Sequence, residues 1–309
     1  MQNQSRVSCA GFLVIAASRI LRKDDSIMTF EQIQYLEKWF DQHVRGFDGE
    51  DPDVSENIRL KVTHTVKVRE ACRRIAKSLR LGEGDRLLAE ACGLMHDVGR
   101  FEQYARFKTF VDAKSVDHAE LGASLLEKES VLDSLRPGER HVIIRAVRYH
   151  NRLSLFLNDS PRVLFFTKLL RDADKIDIYR VVTDYYRTAH VRRNEAIQLD
   201  LPDTPEISGQ VIADIHAKRL VKKAHLRTLN DFKLLQMAWV YGFNFAETCR
   251  IVRGRGYLEK IRQTLPDTDE VERLYQTLLS DLKARCGRLE TGRTGDGSGT
   301  RGTGDTIRA

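Results

Sequence analysis

An all-α fold is the class this sequence predicts, and three observations carry that expectation. Apolar residues recur at three- and four-residue spacing through long segments, proline is scarce at 6 in 309 residues, and no run of alternating β-branched residues is present to claim a sheet. With 41% apolar and 31% charged residues, a chain of this length has enough material for one large core or two smaller ones, which excludes disorder for its bulk. The five cysteines (Cys9, Cys72, Cys92, Cys249, Cys286) are odd in number, widely spaced and outside any C-x-x-C pair. That pattern argues against a disulfide framework and against a thiolate zinc site, and predicts buried, inert thiols in a reducing, cytoplasmic setting.

The elements follow in chain order. Residues 1–27 contain the apolar run "CAGFLVIAA" with only Arg6 before it. The run is far shorter than the roughly 20 residues a spanning helix needs, and it makes a poor signal peptide, so this stretch reads as an extension upstream of a natural start at Met28. From Met28 the pattern is helical at once, with Thr29 as N-cap and Ile33, Leu36, Trp39 and Phe40 on one face. In "DVSENIRLKVTHTVKVREACRRIAKSLRLGEG", His64 is in register with Val68, Ala71, Ile75 and Leu79, so it points inward. The next helix, about 85–97, ends on His96 and Asp97 with Gly99 as its stop, which predicts a pair at a helix end near solvent.

"DHAELGASLLEK" opens a further helix, with Asp117 and Glu120 as a capping box and His118 in the first turn. His150, in "RHVIIRAVRYHN", shares a face with Ile143, Ala146 and Val147. "SPRVLFFTKLLRDADKIDIYR" starts on Ser160 and Pro161 as cap and first position, and Asp174 follows Val163, Thr167 and Leu170 on one face. Turn-forming residues cluster in "QLDLPDTPEISG" (198–209), so the last hundred residues form a helical subdomain on the first part. Its "NDFKLLQMAWVYGFNF" places Trp239, Tyr241, Phe243 and Phe245 in a core rather than on a base-stacking platform. From Gly287 the Gly- and Thr-rich sequence reads as a disordered tail. The expected organisation is therefore 1–27 extension, 28–200 metal-binding helical domain, 201–286 helical subdomain and 287–309 tail.

Four imidazoles and two carboxylates, on five successive helical segments, are the chemistry-bearing set: His64, His96, Asp97, His118, His150 and Asp174. Several sit on otherwise apolar faces, where an unpaired polar side chain is costly and a shared divalent metal would satisfy them together. Nitrogen and oxygen donors suit Fe, Mn, Zn or Mg, and a set without thiolate argues against a structural zinc.

This ordered set resembles the HD-domain metal-dependent phosphohydrolases, whose pattern is a His, a His-Asp pair and a distant Asp. Here the pattern is met by His64 in "VTHTV", His96 and Asp97 in "LMHDVGR", and Asp174 in "DADKID", across about residues 55–185. The resemblance implies an HD-type helical bundle, here with a C-terminal helical extension, and metal ligation by those four residues. Asp172 is the rival for the last position, about 200° round the helix; the family pattern puts the ligand directly after Ala, which favours Asp174. A subset of the family has two more His between the pair and the final Asp. His118 and His150 occupy such places, which implies an H…HD…H…H…D centre holding one or two divalent ions (Mn, Fe, Mg, Co or Zn). The phosphodiesterases with an HD-GYP signature carry a G-Y-P motif and a double His. This chain has Tyr149-His150-Asn151 instead, so cyclic di-GMP is not the expected substrate.

The implied reaction is hydrolysis of a nucleotide or another small phosphate ester, mono- or diester, by water whose pKa the metal lowers to about 7. Asp97 would bridge metals or hold that water. Arg100, Lys114 and Lys175 lie close in sequence to the set and are the expected phosphate-holding cations, Arg100 first because of its bidentate fork. Glu102, Gln103 and Asn151 would line the pocket with Arg100. Two other readings stand beside this one. One is an HD-fold di-iron oxygenase. The other is a non-catalytic regulatory protein that uses the run "HAKRLVKKAHLRTLNDFK" (216–233) to contact nucleic acid or an acidic partner. The charge favours the latter weakly: of the net +7, four basic against two acidic residues put +2 on 1–27, and four against three put +1 on the stretch from 287.

Overall fold

Thr29 opens the first helix, α1 (Phe30–Arg45), with a full capping box: its hydroxyl accepts the Gln32 N–H while the Gln32 side chain accepts the Thr29 N–H. The computed structural model describes residues 28–47, 51–152, 158–188, 198–199 and 201–291, and all regular structure among them is helical. The reading of 1–27 as an extension lies outside these residues.

Asp51 caps α2 (Pro52–Ser78) by accepting the N–H groups of Asp53 and Val54, and Pro52 takes the first position, where a missing N–H does no harm. α3 (Glu83–Met95) is buried on every face from Leu88 to Met95, as a helix at the centre of a bundle is, and lies along α2. α4 (Val98–Phe107) restarts two residues later, and a short 3-10 turn (Asp112–Lys114) leads to α5 (His118–Lys128). α6 (Pro137–Tyr149) packs on α5, and α7 (Pro161–Thr188), capped by the Ser160 hydroxyl on the Val163 N–H, lies across α2 and α6. Asp117 caps α5 by accepting from Ala119 and Glu120, but the Glu120 carboxylate turns to Arg148, so the expected capping box is half present.

Gly99 is not a helix stop. It lies in the first turn of α4, where a Cβ would stand 2.3 Å from the His118 carbonyl oxygen and 2.7 Å from the Gly122 N. A residue without a side chain is needed for the contact of α4 with α5, and that contact brings His118 to the His-Asp pair.

After α7 come α8 (Gly209–His216), α9 (Leu229–Met237), a 3-10 turn (Ala238–Gly242), α10 (Ala246–Gly254), α11 (Tyr257–Arg262) and α12 (Asp269–Thr291). One apolar core runs from Met28 to Ile176 and takes in Phe245 and Ile251; a second joins Tyr179 to residues 211–286. The change therefore falls inside α7 rather than at the irregular 201–208 segment, because one long helix gives successive turns to two cores. Phe243 and Phe245 are buried, and Trp239 meets the Tyr179 ring edge-on at 5.4 Å, as a core reading requires. α12 continues helical to Thr291, past the expected start of a tail at Gly287, and the rest of that tail lies outside the described residues. Cys72, Cys92, Cys249 and Cys286 are buried free thiols.

Most of the basic run 216–233 lies at the surface, with Lys218, Arg219, Lys222, Lys223 and Arg227 exposed and Lys233 buried. Lys218 pairs with Asp281 at 2.6 Å, Arg219 with Asp214 at 3.0 Å, and buried Lys233 donates to the Thr264 carbonyl at 2.7 Å. No helix among the described residues is long and apolar enough to cross a membrane.

Candidate metal centre

Two of the four imidazoles sit at helix C-termini, where they fill the gap left by orphaned carbonyls. His96 directly follows α3 and donates Nδ1–H to the Gly93 carbonyl at 2.8 Å; His150 directly follows α6 and does the same to Val147 at 2.7 Å. His118, the first residue of α5, donates Nδ1–H to Asp112 at 2.8 Å, and His64, in the middle of α2, donates to Asp177 at 2.8 Å. With every Nδ1 committed, every Nε2 is turned to the centre.

There they converge with two carboxylates. His64 Nε2 lies 3.1 Å from Asp174 Oδ1 and 3.3 Å from His96 Nε2. His118 Nε2 lies 3.1 Å from His150 Nε2. Asp97 stands between the two pairs: Oδ2 is 3.5 Å from His96 and 3.7 Å from His64, while Oδ1 is 3.5 Å from His118 and 3.7 Å from His150. Two donor groups result, His64–His96–Asp174 and Asp97–His118–His150, each with its atoms within 4.8 Å of one another. The pair at the end of α3 is buried, with Asp97 at 3% exposure, so the expected position near solvent is corrected: α4 and α5 cover it.

Burial pushes His96 down to about 4, and burial with the Arg100 charge pushes His118 down to about 3, so both rings are neutral at pH 7. A neutral ring that donates from Nδ1 has only a lone pair on Nε2. The His118 lone pair faces His150 Nε2 across 3.1 Å, with Asp97 Oδ1 beside both, an arrangement that a cation placed there would satisfy. This donor set therefore fits one or two divalent ions. Burial works against charge on His64 too, but its bonds to Asp174 and Asp177 outweigh it and raise that ring. Burial alone would raise Asp97, yet the Lys61 ammonium and the surrounding imidazoles hold it well below the usual carboxylate range. Asp174 is likewise lowered against its burial, by His64, His96 and His150.

Residues 62–179 match the family model of the HD domain. The chain carries an HD domain. No curated protein and no solved structure matches the chain. The matched segment of the HD domain holds all six residues of the cluster and ends where the first apolar core gives way to the second.

Asp172, the rival for the last position, faces away from the HD-domain cluster. It is buried and accepts the N–H groups of Asn244 and Phe245 and the Thr248 hydroxyl, at 2.8–3.0 Å, which caps α10 from another element. Arg100 touches the cluster from behind: Nη1 donates to Gln103 Oε1, the Phe110 carbonyl and Asp112, and Nε lies 3.5 Å from Asp97 Oδ1. Gln103 is fully buried and ties the 112–116 loop to α4 through Asp112, Ser115 and Val116, so it does not line an open pocket. Glu102 pairs with Arg106 on the surface. Lys114 is exposed on the 3-10 turn, and Lys175, pushed down to about 8 by burial, feels Asp172 more than Asp174. Asn151 donates to Asp117 at 2.9 Å and more weakly to Asp112 at 3.4 Å, beside the His118 group.

Sequence reading missed three residues here. Asp177 and Asp112 orient His64 and His118, and Lys61 Nζ lies 2.8 Å from Asp97 Oδ2. Lys61 and Asp177 were each one turn from a suspected ligand on the same helix, which was the available signal; Asp112, on a loop, offered none.

Proposed function

We propose that the HD domain of this chain is a metal-dependent phosphohydrolase acting on a nucleotide or another small phosphate ester. HD domains form a superfamily of metal-dependent hydrolases, and the observation that supports this reading most is the convergence of four imidazole Nε2 atoms on two carboxylates. His64, His96 and Asp174 would hold one ion and His118 and His150 a second, with Asp97 offering one oxygen to each group. A divalent ion in such a set lowers the pKa of water and neutralises charge on phosphoryl oxygens.

The chain's own part is to hold the donors in place before a ligand arrives. The Nδ1 partners fix each ring's tautomer and direction, and the bundle buries the four imidazoles and Asp97. Water then attacks phosphorus, the ester P–O bond breaks, and the leaving oxygen takes the proton.

The test is a screen of nucleotides, cyclic nucleotides and sugar phosphates against protein loaded with Mn, Fe, Mg or Co, with His64→Ala and Asp174→Ala as blanks. Release of phosphate, or opening of a cyclic diester, by the wild type alone supports the reading. No hydrolysis above the blanks with any metal, together with oxygen uptake by the iron-loaded protein, would replace it by a di-iron oxygenase.

A further inference from the structure

We infer that Lys61 is the residue that grips the substrate's phosphate, a role for which the sequence pointed to Arg100, Lys114 and Lys175. This rests on the phosphohydrolase reading and adds to it the group that recognises the anion. Lys61 lies on α2 one turn before His64, so both project from one face. Its ammonium is 2.8 Å from Asp97 Oδ2, the oxygen that faces His64 and His96.

Exposure shows where a ligand must enter. The side chains of His96, His118, His150 and Asp97 are at most 4% exposed, whereas those of Lys61 and Asp174 are each 17% exposed. Arg100 at 15% and Asp112 at 25% mark an open edge of the cluster beside His118, and Lys61 and Asp174 thus mark another. The Phe110 ring, whose centroid is 5.1 Å from Nζ, holds the ammonium there by a cation–π contact. An ammonium has three N–H donors, and among the described residues Asp97 is the hydrogen-bond acceptor it meets, so donors remain for phosphoryl oxygens.

The competing cations are placed otherwise. Arg100 is drawn back by the Phe110 carbonyl and Asp112, Lys114 is out on its turn, and Lys175 feels the Asp172 charge more than that of Asp174. A compact ammonium, unlike a guanidinium fork, grips a phosphate without dictating its orientation.

The experiment compares the metal-loaded full chain with Lys61→Met and Lys61→Arg. It measures binding of inorganic phosphate by calorimetry, metal content by elemental analysis, and KM and kcat with the ester found in the screen. Lys61→Met is expected to keep its metal, bind phosphate about 10- to 100-fold more weakly and raise KM more than it lowers kcat, with Lys61→Arg recovering part of the loss. Phosphate binding equal to wild type in Lys61→Met overturns the assignment, and so does loss of metal in step with loss of phosphate, which would make the lysine a support for Asp97. If the wild type itself neither binds phosphate nor hydrolyses any ester, the phosphohydrolase reading falls and this assignment with it. A wild type that hydrolyses an ester while Lys61→Met matches it removes Lys61 alone.

Discussion

Each imidazole in the cluster is aimed by the partner of its other nitrogen, and that is where single residues can be tested. Removing the Nδ1 partner of a ligating His typically weakens metal binding about 10- to 100-fold. Asp177→Ala should therefore loosen the His64 group, and Asp112→Ala the His118 group, each read by titration against a chelator; unchanged affinity in both would mean the rings are fixed by packing alone. A pH effect follows from the two lowered rings. His96 and His118 resist protonation in the fold until about 4 and about 3, while in the unfolded chain they take a proton near 6.5. The unfolded state thus binds more protons below 6.5, so the metal-free protein should lose stability as pH falls from 6.5 towards 4, and His118→Gln should lose less over that window. Equal slopes in thermal melts would contradict the neutral ring. Periodicity made His64 and Asp174 legible in the sequence, because both lie in register with apolar residues. The support from Asp177 was not legible, since it lies 113 residues from His64. Nor could sequence proximity show that the Arg100 guanidinium is pulled away by Phe110 and Asp112.

At the scale of elements, the centre depends on how closely α4 and α5 approach. Gly99→Ala would set a methyl 2.3 Å from the His118 carbonyl oxygen, so backbone must move. The expected cost is about 1–3 kcal/mol in denaturant melts, with weaker binding at the His118 group; a variant of full stability and unchanged metal affinity would show that the contact is slack. The sequence suggested a stop at this glycine because a Gly just after an apolar run is the common sign of a helix end. What ends α3 instead is the His96 ring on the Gly93 carbonyl, a cap made by a ligand-type side chain that no capping pattern flags. The all-helical class was legible, as the apolar spacing and the caps at Thr29 and Ser160 required only local information.

For the whole molecule, α7 is the member that both cores share, and it carries Asp174 toward the cluster and Asp172 toward the C-terminal helices. Asp172→Ala would leave the N–H groups of Asn244 and Phe245 and the Thr248 hydroxyl without their acceptor. A buried group left unsatisfied costs about 1–3 kcal/mol, so this variant should unfold at clearly lower denaturant than wild type; an unchanged midpoint would mean that water reaches this joint. The core boundary inside α7 escaped the sequence because a continuous helix gives no turn signal where its neighbours change. The most direct test of the central claim is the metal content of the purified, metal-loaded chain beside His96→Ala and Asp97→Ala, by elemental analysis. The wild type should hold one to two divalent ions per chain and both variants should lose most of them, whereas equal metal in all three proteins would contradict the centre described here.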